Sequence, residues 1–296
     1  MRILLTGATG FIGVHLANSL CPHHDVVALL RPQSKLERLA KVTSLRHLIW
    51  DEDVTTLPAL LIDARPEVII HLAGYFVGEH KPQDVDILVD SNVSFPTVLL
   101  HAAVQAGCLQ FINTGSYWQH YGNAGYAPVN LYAATKQAFT TMLAYYVRDG
   151  MLQRALTLEL TDTYGPGDLR PKLIPLLAQT AAQGDVLAMS PGNQFLDFVH
   201  LYDIVAGYLQ ALTVLTSIPE HQQRTYALRS TQPIKLKDFI VLYNEISPNP
   251  VNVDWGARPY RSREFLEPWT QGEVLPGWSP QLALRDGLHA LLTSQR

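Results

Sequence analysis

The chain has 296 residues, 47% of them hydrophobic and 16% charged, with a formal net charge of -4. That size and apolar content suit one large domain or two moderate ones. The mildly acidic balance excludes a global basic field of the kind that draws in nucleic acid or an anionic membrane.

Ile3 to Leu5 reads as a short buried strand. Gly7, Gly10 and Gly13 follow, and Val14 to Leu20 then carries apolar residues at helical spacing. Strand, glycine turn and helix together form the context in which such glycines bind the pyrophosphate of a dinucleotide. Gly7 permits the tight turn, Gly10 lets backbone approach the phosphates, and Gly13 lets helix and strand pack closely. Amides near Phe11 and Ile12 then face the anion. Cys21, His23 and His24 end this helix. No second ligand pair accompanies them, and Cys108 is the only other cysteine, so neither a metal site nor a disulfide framework is expected.

Asp25 to Leu30 reads as the second strand, Ser34 to Lys41 as a helix, and Leu45 to Trp50 as the third strand. A helix over Thr55 to Ala64 leads to a fourth strand, Val68 to Leu72, which runs into Ala73 and Gly74. Val85 to Gln105 reads as a long helix and Phe111 to Asn113 as the fifth strand. Leu131 to Arg148 is a second long helix, capped by Asn130 and closed by Gly150, and Ala155 to Leu160 is the sixth strand. This alternation predicts an α/β fold: a doubly wound, Rossmann-type parallel sheet with helices on both faces. Residues 1–164 are expected to form a dinucleotide-binding domain, to which a segment near 197–215, with a helix over Leu201 to Leu215, returns. Beyond Tyr164, frequent prolines predict a smaller, irregular domain over 165–296, mainly for substrate. No apolar stretch approaches the ~20 residues that span a bilayer. Gly7 and Gly10 interrupt the N-terminal run where a signal segment needs continuity. A cytoplasmic protein without a membrane partner is the expectation.

Ligands on such sheets sit beyond the carboxyl ends of the strands, and the chemistry-bearing residues fall there. Tyr132 and Lys136 are four apart, on one face of a helix. A phenol titrates near ~10, and a neighbouring ammonium is expected to lower that value, fitting the pair for proton transfer with a carbonyl or an alcohol. Ser116, after the fifth strand, offers a hydroxyl to the same substrate oxygen.

In combination these residues resemble the extended short-chain dehydrogenase/reductase family, also described as NAD(P)-dependent epimerases and dehydratases. The resemblance spans nearly the whole chain. It rests on the TGATGFIG start, His71-Leu72-Ala73-Gly74, Ser116 with Tyr132 and Lys136, Tyr164-Gly165-Pro166-Gly167, Asp197-Phe198-Val199-His200 and Gly277-Trp278-Ser279-Pro280. It implies Ser116 as carbonyl ligand, Tyr132 as acid and base, and Lys136 as its modulator and a ribose ligand. Thr9, Asp51, Leu72, Ala73 and Gly74 are expected to join the glycine turn in holding the cofactor. The helices around Asn92 and Tyr132 are expected to build a homodimer, as is common in the family.

The family acts mostly on nucleotide-activated sugars. Its dehydratases carry an Asp-Glu pair where this chain has Tyr117 and Trp118, which argues against dehydration. The second strand ends in Leu30-Arg31 without the acidic residue that binds an NAD ribose, and Arg31 suits a 2'-phosphate. Lys35 and Arg38 lie close by in sequence. NADP(H) is therefore preferred, with NAD(H) possible. The expected activity is NADPH-dependent reduction of a nucleotide-linked 4-keto-(deoxy)sugar, and segments around Ser116 and Asp162 look similar to CDP-abequose-synthase-like reductases. The alternatives are an NAD-dependent nucleotide-sugar 4-epimerase and a non-catalytic NADP-binding regulator. Substrate contacts are assigned to Ser116, Tyr117, Trp118, Asp162, Lys172 and Arg261, with Arg258 competing for the last role. Asp162 and Glu159 stand where the family mostly has Asn and Arg.

Overall fold

The structure is a computed structural model and describes residues 1–293. The N-terminal half alternates β1 (Arg2–Thr6), α1 (Phe11–Leu20), β2 (Asp25–Leu30), β3 (Arg46–Ile49), α2 (Leu57–Ala64) and β4 (Val68–His71). A continuous helical run follows: α3 (Asp84–Val89), a π-helical turn Asp90–Ser94 and α4 (Phe95–Gln105). Then come β5 (Gln110–Ser116), α5 (Leu131–Arg148), β6 (Arg154–Leu160) and β7 (Asp162–Tyr164). The remainder comprises α6 (Leu173–Gln183), β8 (Val186–Met189), β9 (Phe195–Leu196), β10 (Phe198–His200), α7 (Leu201–Ser217), β11 (Gln222–Leu228), β12 (Ile234–Lys235), α8 (Leu236–Ile246), β13 (Asn252–Trp255) and α9 (Leu284–Thr293).

Seven parallel strands form the main sheet in the order β11-β6-β5-β4-β1-β2-β3. The chain runs outward from β1 to β3, then crosses back to place β4 on the other side of β1. The crevice at that reversal is where doubly wound sheets bind dinucleotides. Alternate side chains of each strand face opposite layers. Ile3, Leu5, Val26, Ala28 and Ile70 pack with α1 and α7. Leu4, Val27, Leu29 and Ile69 pack with α2, α4 and α5. Burial on both faces explains why these strands read as unbroken apolar runs.

A third core joins Ile174, Leu177, Met189, Phe239 and Leu288 among α6, α8, α9 and the parallel pair β8–β13. Asp203 in the first turn of α7 fastens the C-terminal segment. Its carboxylate accepts the Gln281 and Leu282 amides at 3.0 and 3.1 Å, and its carbonyl accepts Trp278 Nε1–H at 2.8 Å.

Three local expectations change. The helix expected over Ser34 to Lys41 is only a 3₁₀ turn, Leu36–Leu39, with Pro32 shortly before it and no packed continuation. The fifth strand extends to Ser116, because it pairs with β6 through Ser116↔Leu160. The helical run Asp84–Gln105 has a window of mean hydropathy 1.4, long and apolar enough to cross a membrane by length and composition alone; the sequence reading found no such stretch. Here Leu88, Leu99, Leu100 and Ala103 on this run are fully buried within the protein.

Candidate active site

The glycine turn is shaped by close backbone approach. Gly7 adopts φ +68°, and a Cβ there would lie 2.7 Å from the Ala73 amide nitrogen. A Cβ on Gly13 would lie 2.0 Å from the Gly7 carbonyl oxygen. Helix α1 starts at Gly10 without a side-chain cap, so its first amides and its positive dipole end are available to an anion. Thr6 ties this turn to β4: its hydroxyl bonds His71 Nδ1 at 2.8 Å and accepts the Ala73 amide at 3.2 Å. These features fit a dinucleotide pyrophosphate.

Ser116, Tyr132 and Lys136 converge beside that turn. Asn130 caps α5 by accepting the Ala133 amide at 3.0 Å, which starts the helix one residue before Tyr132. Ser116 ends β5 and caps the following 3₁₀ turn, Tyr117–Gln119, in a reciprocal box with Gln119. Ser116 lies beside the Tyr132 hydroxyl and favours its ionised form. Lys136 is buried, and a Cβ on Gly74 would lie 3.9 Å from its Nζ. The π-helical turn aims Asn92 at the same place. Its amide bonds the Tyr75 carbonyl at 2.9 Å and Thr135 Oγ1 at 3.0 Å, fixing the loop after β4 against α5.

The electrostatics correct one expectation. Burial pushes the Tyr132 phenol up to about 12, despite the opposing effects of the neighbouring Ser116 and the charge of Arg170. Burial also lowers the Lys136 ammonium to about 8. In the protein alone, desolvation of the phenol outweighs the stabilisation expected from a neighbouring cation. Tyr132 is thus a protonated acid throughout the neutral range.

These residues open onto a cleft of about 900 Å³. Gly7, Gly10, Phe11, Ile12, Gly13, Leu72 and Gly74 line one end, Ser116, Tyr132 and Lys136 its middle, and Tyr117, Trp118, Asp162, Lys172, Arg258 and Arg261 the other end. Tyr117 is a packing group as well. It stacks on Phe265 at 5.0 Å and donates its hydroxyl to Asp162 at 2.9 Å. Asp162 also accepts the Asp197 amide at 3.1 Å. Burial raises its carboxyl above the usual range, against the charges of Lys172 and Arg261. Burial likewise lowers Lys172 to about 8.

Four expected cofactor residues, Thr9, Arg31, Asp51 and Ala73, do not line the cleft. Ala73 lies behind Gly7 and contributes through its backbone. Arg31 is exposed and 3.7 Å from Glu52, a carboxylate the sequence reading did not bring to this edge. Asp51 accepts hydrogen bonds from the Asp53 amide at 3.2 Å and the Thr56 hydroxyl at 3.1 Å. Arg38 lines the cleft instead.

The sequence reading missed Phe76 and Arg170. Phe76 meets Tyr132 edge-on at 4.9 Å and Trp118 at 5.5 Å, with Lys172 Nζ 5.1 Å from its ring centre. Arg170 lies 4.2 Å over the Phe11 ring and is held bidentately by Asp168 at 2.6 and 2.7 Å. The available signal was position: both residues follow the carboxyl ends of sheet strands. Among the described residues no group of three His, Cys, Asp or Glu side chains is placed to hold a metal.

Comparison with known proteins agrees with this architecture. The chain is 29% identical to CDP-abequose synthase of Salmonella typhimurium, over 98% of this chain and 97% of that protein. It is 26% identical to CDP-abequose synthase of Yersinia pseudotuberculosis, over 90% and 92% of the two chains. The crystal structure of UDP-glucuronic acid 4-epimerase from Bacillus cereus, in complex with UDP-glucuronic acid and NAD, superposes with a TM-score of 0.85. It is 22% identical and covers 99% of this chain and 98% of its own. Residues 3–225 match the model of the NAD dependent epimerase/dehydratase family, and the chain belongs to that family.

Proposed function

We propose that this protein is an NADPH-dependent reductase of a nucleotide-linked 4-keto-(deoxy)sugar. One observation carries the reading: Tyr132 stands between the glycine turn and the aromatic end of the cleft, beside Ser116 and kept protonated by burial. A protonated phenol suits the reductive direction, in which a carbonyl oxygen gains a proton. A bound nicotinamide would supply the hydride. The amides of the glycine turn and of α1 bind pyrophosphate, and Lys136 holds the ribose. Ser116 donates to the substrate carbonyl oxygen and polarises it. Tyr132 gives its proton to that oxygen. Trp118 and Phe76 exclude water and support the sugar ring, while Lys172 and Arg261 neutralise the diphosphate. The C-terminal part, 165–296, mainly serves this substrate end.

NADPH is favoured because β2 ends without an acidic residue and Arg38 lines the cleft. The Glu52 carboxylate beside Arg31 favours the second reading, an NAD-dependent nucleotide-sugar 4-epimerase, since it counters a 2'-phosphate at that edge. The protein works as a cytoplasmic homodimer through the exposed apolar residues Val85, Ile87, Met142 and Tyr145 of α3 and α5. The test is incubation with NADPH and CDP-, UDP-, dTDP- and GDP-linked 4-keto sugars, following nicotinamide absorbance. Oxidation of NADPH with one of them is expected. Purified protein that retains NAD and interconverts 4-epimers without added reductant would overturn the reductase reading.

A further inference from the structure

Glu159 is a departure from the family pattern that the proposed reduction does not use. It sits near the end of β6, opposite Gly115 in the register, and its side chain is 7% exposed. Its partner is His120, in the segment between β5 and α5. His120 Nε2 lies 2.7 Å from Glu159 Oε1, and its Nδ1 lies 3.1 Å from the Ala124 carbonyl oxygen. The imidazole is stacked on Trp269 at 5.2 Å with the planes 9° apart.

A carbonyl oxygen and a carboxylate only accept hydrogen bonds, so both ring nitrogens are called on to donate. Only the imidazolium donates from both, and the carboxylate is the weaker base of the pair. Loss of one proton leaves either the Ala124 carbonyl or a buried carboxylate facing a bare nitrogen, at the cost of an unpaired buried polar group. Burial disfavours the imidazolium. The hydrogen bond and charge of Glu159, with the carbonyls of Ala124 and Gly125, outweigh that and hold His120 above its ordinary value. Glu159 is the charged side chain that acts on it; Trp269, on its other face, is neutral.

The pair spans the segment that forms the substrate end of the cleft. Tyr117, whose hydroxyl meets Asp162, and Trp118, which faces Phe76, lie three and two residues before His120. The Ala127 amide returns to the Gln119 carbonyl at 2.8 Å and closes the loop. We propose that His120 and Glu159 are positioning residues: a proton-held latch that fixes the 117–127 segment, and with it Trp118, against the substrate. The latch itself rests on the geometry and charge of the pair; its effect on substrate rests on the nucleotide-sugar reading of the cleft.

The sign follows from a raised imidazole value. The latch contributes fully below the ordinary histidine range and is lost as pH rises through the raised value. Two measurements test it. Amide hydrogen exchange over 117–127, compared at equal pH, is expected to be faster in Glu159→Gln than in wild type at about pH 6, with the difference vanishing at about pH 9. Ring-nitrogen NMR of the wild type, with His120→Gln assigning the signal, is expected to show both nitrogens protonated at about pH 6. If the ordered loop is the binding-competent state, CDP-glucose affinity falls by up to about tenfold per pH unit above the His120 value. Glu159→Gln keeps only the pH dependence due to Lys172, and the substitution leaves NADPH affinity unchanged at each pH. A neutral His120 at about pH 6, or equal exchange in folded wild type and Glu159→Gln at every pH, overturns the latch. Failure of CDP-, UDP-, dTDP- and GDP-linked 4-keto sugars alike to bind at any pH refutes the nucleotide-sugar reading, while the exchange comparison still decides the latch.

Discussion

Replacing Tyr132 by Phe isolates a single hydroxyl. The ring remains, so the contacts with Phe76 at 4.9 Å and Trp118 at 6.4 Å are kept. The lost group lies beside the Ser116 hydroxyl. A neutral hydrogen bond is worth about 1 kcal/mol net, and in a chain of this size that shifts Tm by only about 2–4 °C. The chemical consequence is far larger. Removing a positioned general acid costs about 10²–10⁴ in rate, or about 3–5 kcal/mol of barrier. The expected result is a variant that melts within a few degrees of wild type, binds NADPH with unchanged affinity by calorimetry, and loses at least about a hundredfold in kcat. Retention of more than about a tenth of kcat would refute Tyr132 as the proton donor. A parallel collapse of NADPH binding would show that the hydroxyl holds the cofactor rather than the reaction.

Gly13→Ala forces a Cβ to 2.0 Å from the Gly7 carbonyl oxygen. Neither group is a flexible side-chain end, so a loss of about 3 kcal/mol is expected in chemical denaturation, together with loss of NADPH binding; a neutral result would mean that the turn is not held as described. Asp162→Asn keeps an oxygen to accept the Tyr117 hydroxyl but removes a negative charge from among Lys172 and Arg261. Affinity for a nucleoside diphosphate should rise several-fold in the variant, and weaker binding would put Asp162 in direct contact with a substrate donor. The kcat measured at saturating substrate should decline above about pH 8, where Lys136 loses its proton. A plateau extending to about pH 10, the ordinary lysine range, would contradict the burial of that ammonium.

Much of the framework is legible because its causes are local. Apolar runs such as Val26 to Leu30 announce strands buried on both faces. Asn130 and Gly150 bracket a helix that forms over the expected residues, Leu131–Arg148, and that boundary sets where Tyr132 and Lys136 start. Gly7, Gly10 and Gly13 are spaced for a turn that tolerates no Cβ. The composite pattern of glycine turn, Ser-Tyr-Lys and C-terminal motifs points to the family before any coordinate is known, because each part is a short segment with its own steric or chemical requirement.

Other properties depend on residues brought together from far along the chain. The sequence placed Lys136 beside Tyr132 and implied an acidic phenol; only the assembled cleft decides that desolvation prevails. Its place at the end of the second strand favoured Arg31 for the cofactor; folding leaves it exposed beside Glu52 and brings Arg38, seven residues on, to line the cleft. Phe76 acquires meaning only beside Trp118, 42 positions on, and Glu159 only beside His120, 39 positions back. Local steric demands are written residue by residue, so the chain itself determined its strands, its glycine turn and its catalytic spacing. Burial and charge pairing are properties of the packed whole, so tertiary structure alone decided which side chains share the cleft and which protons they keep.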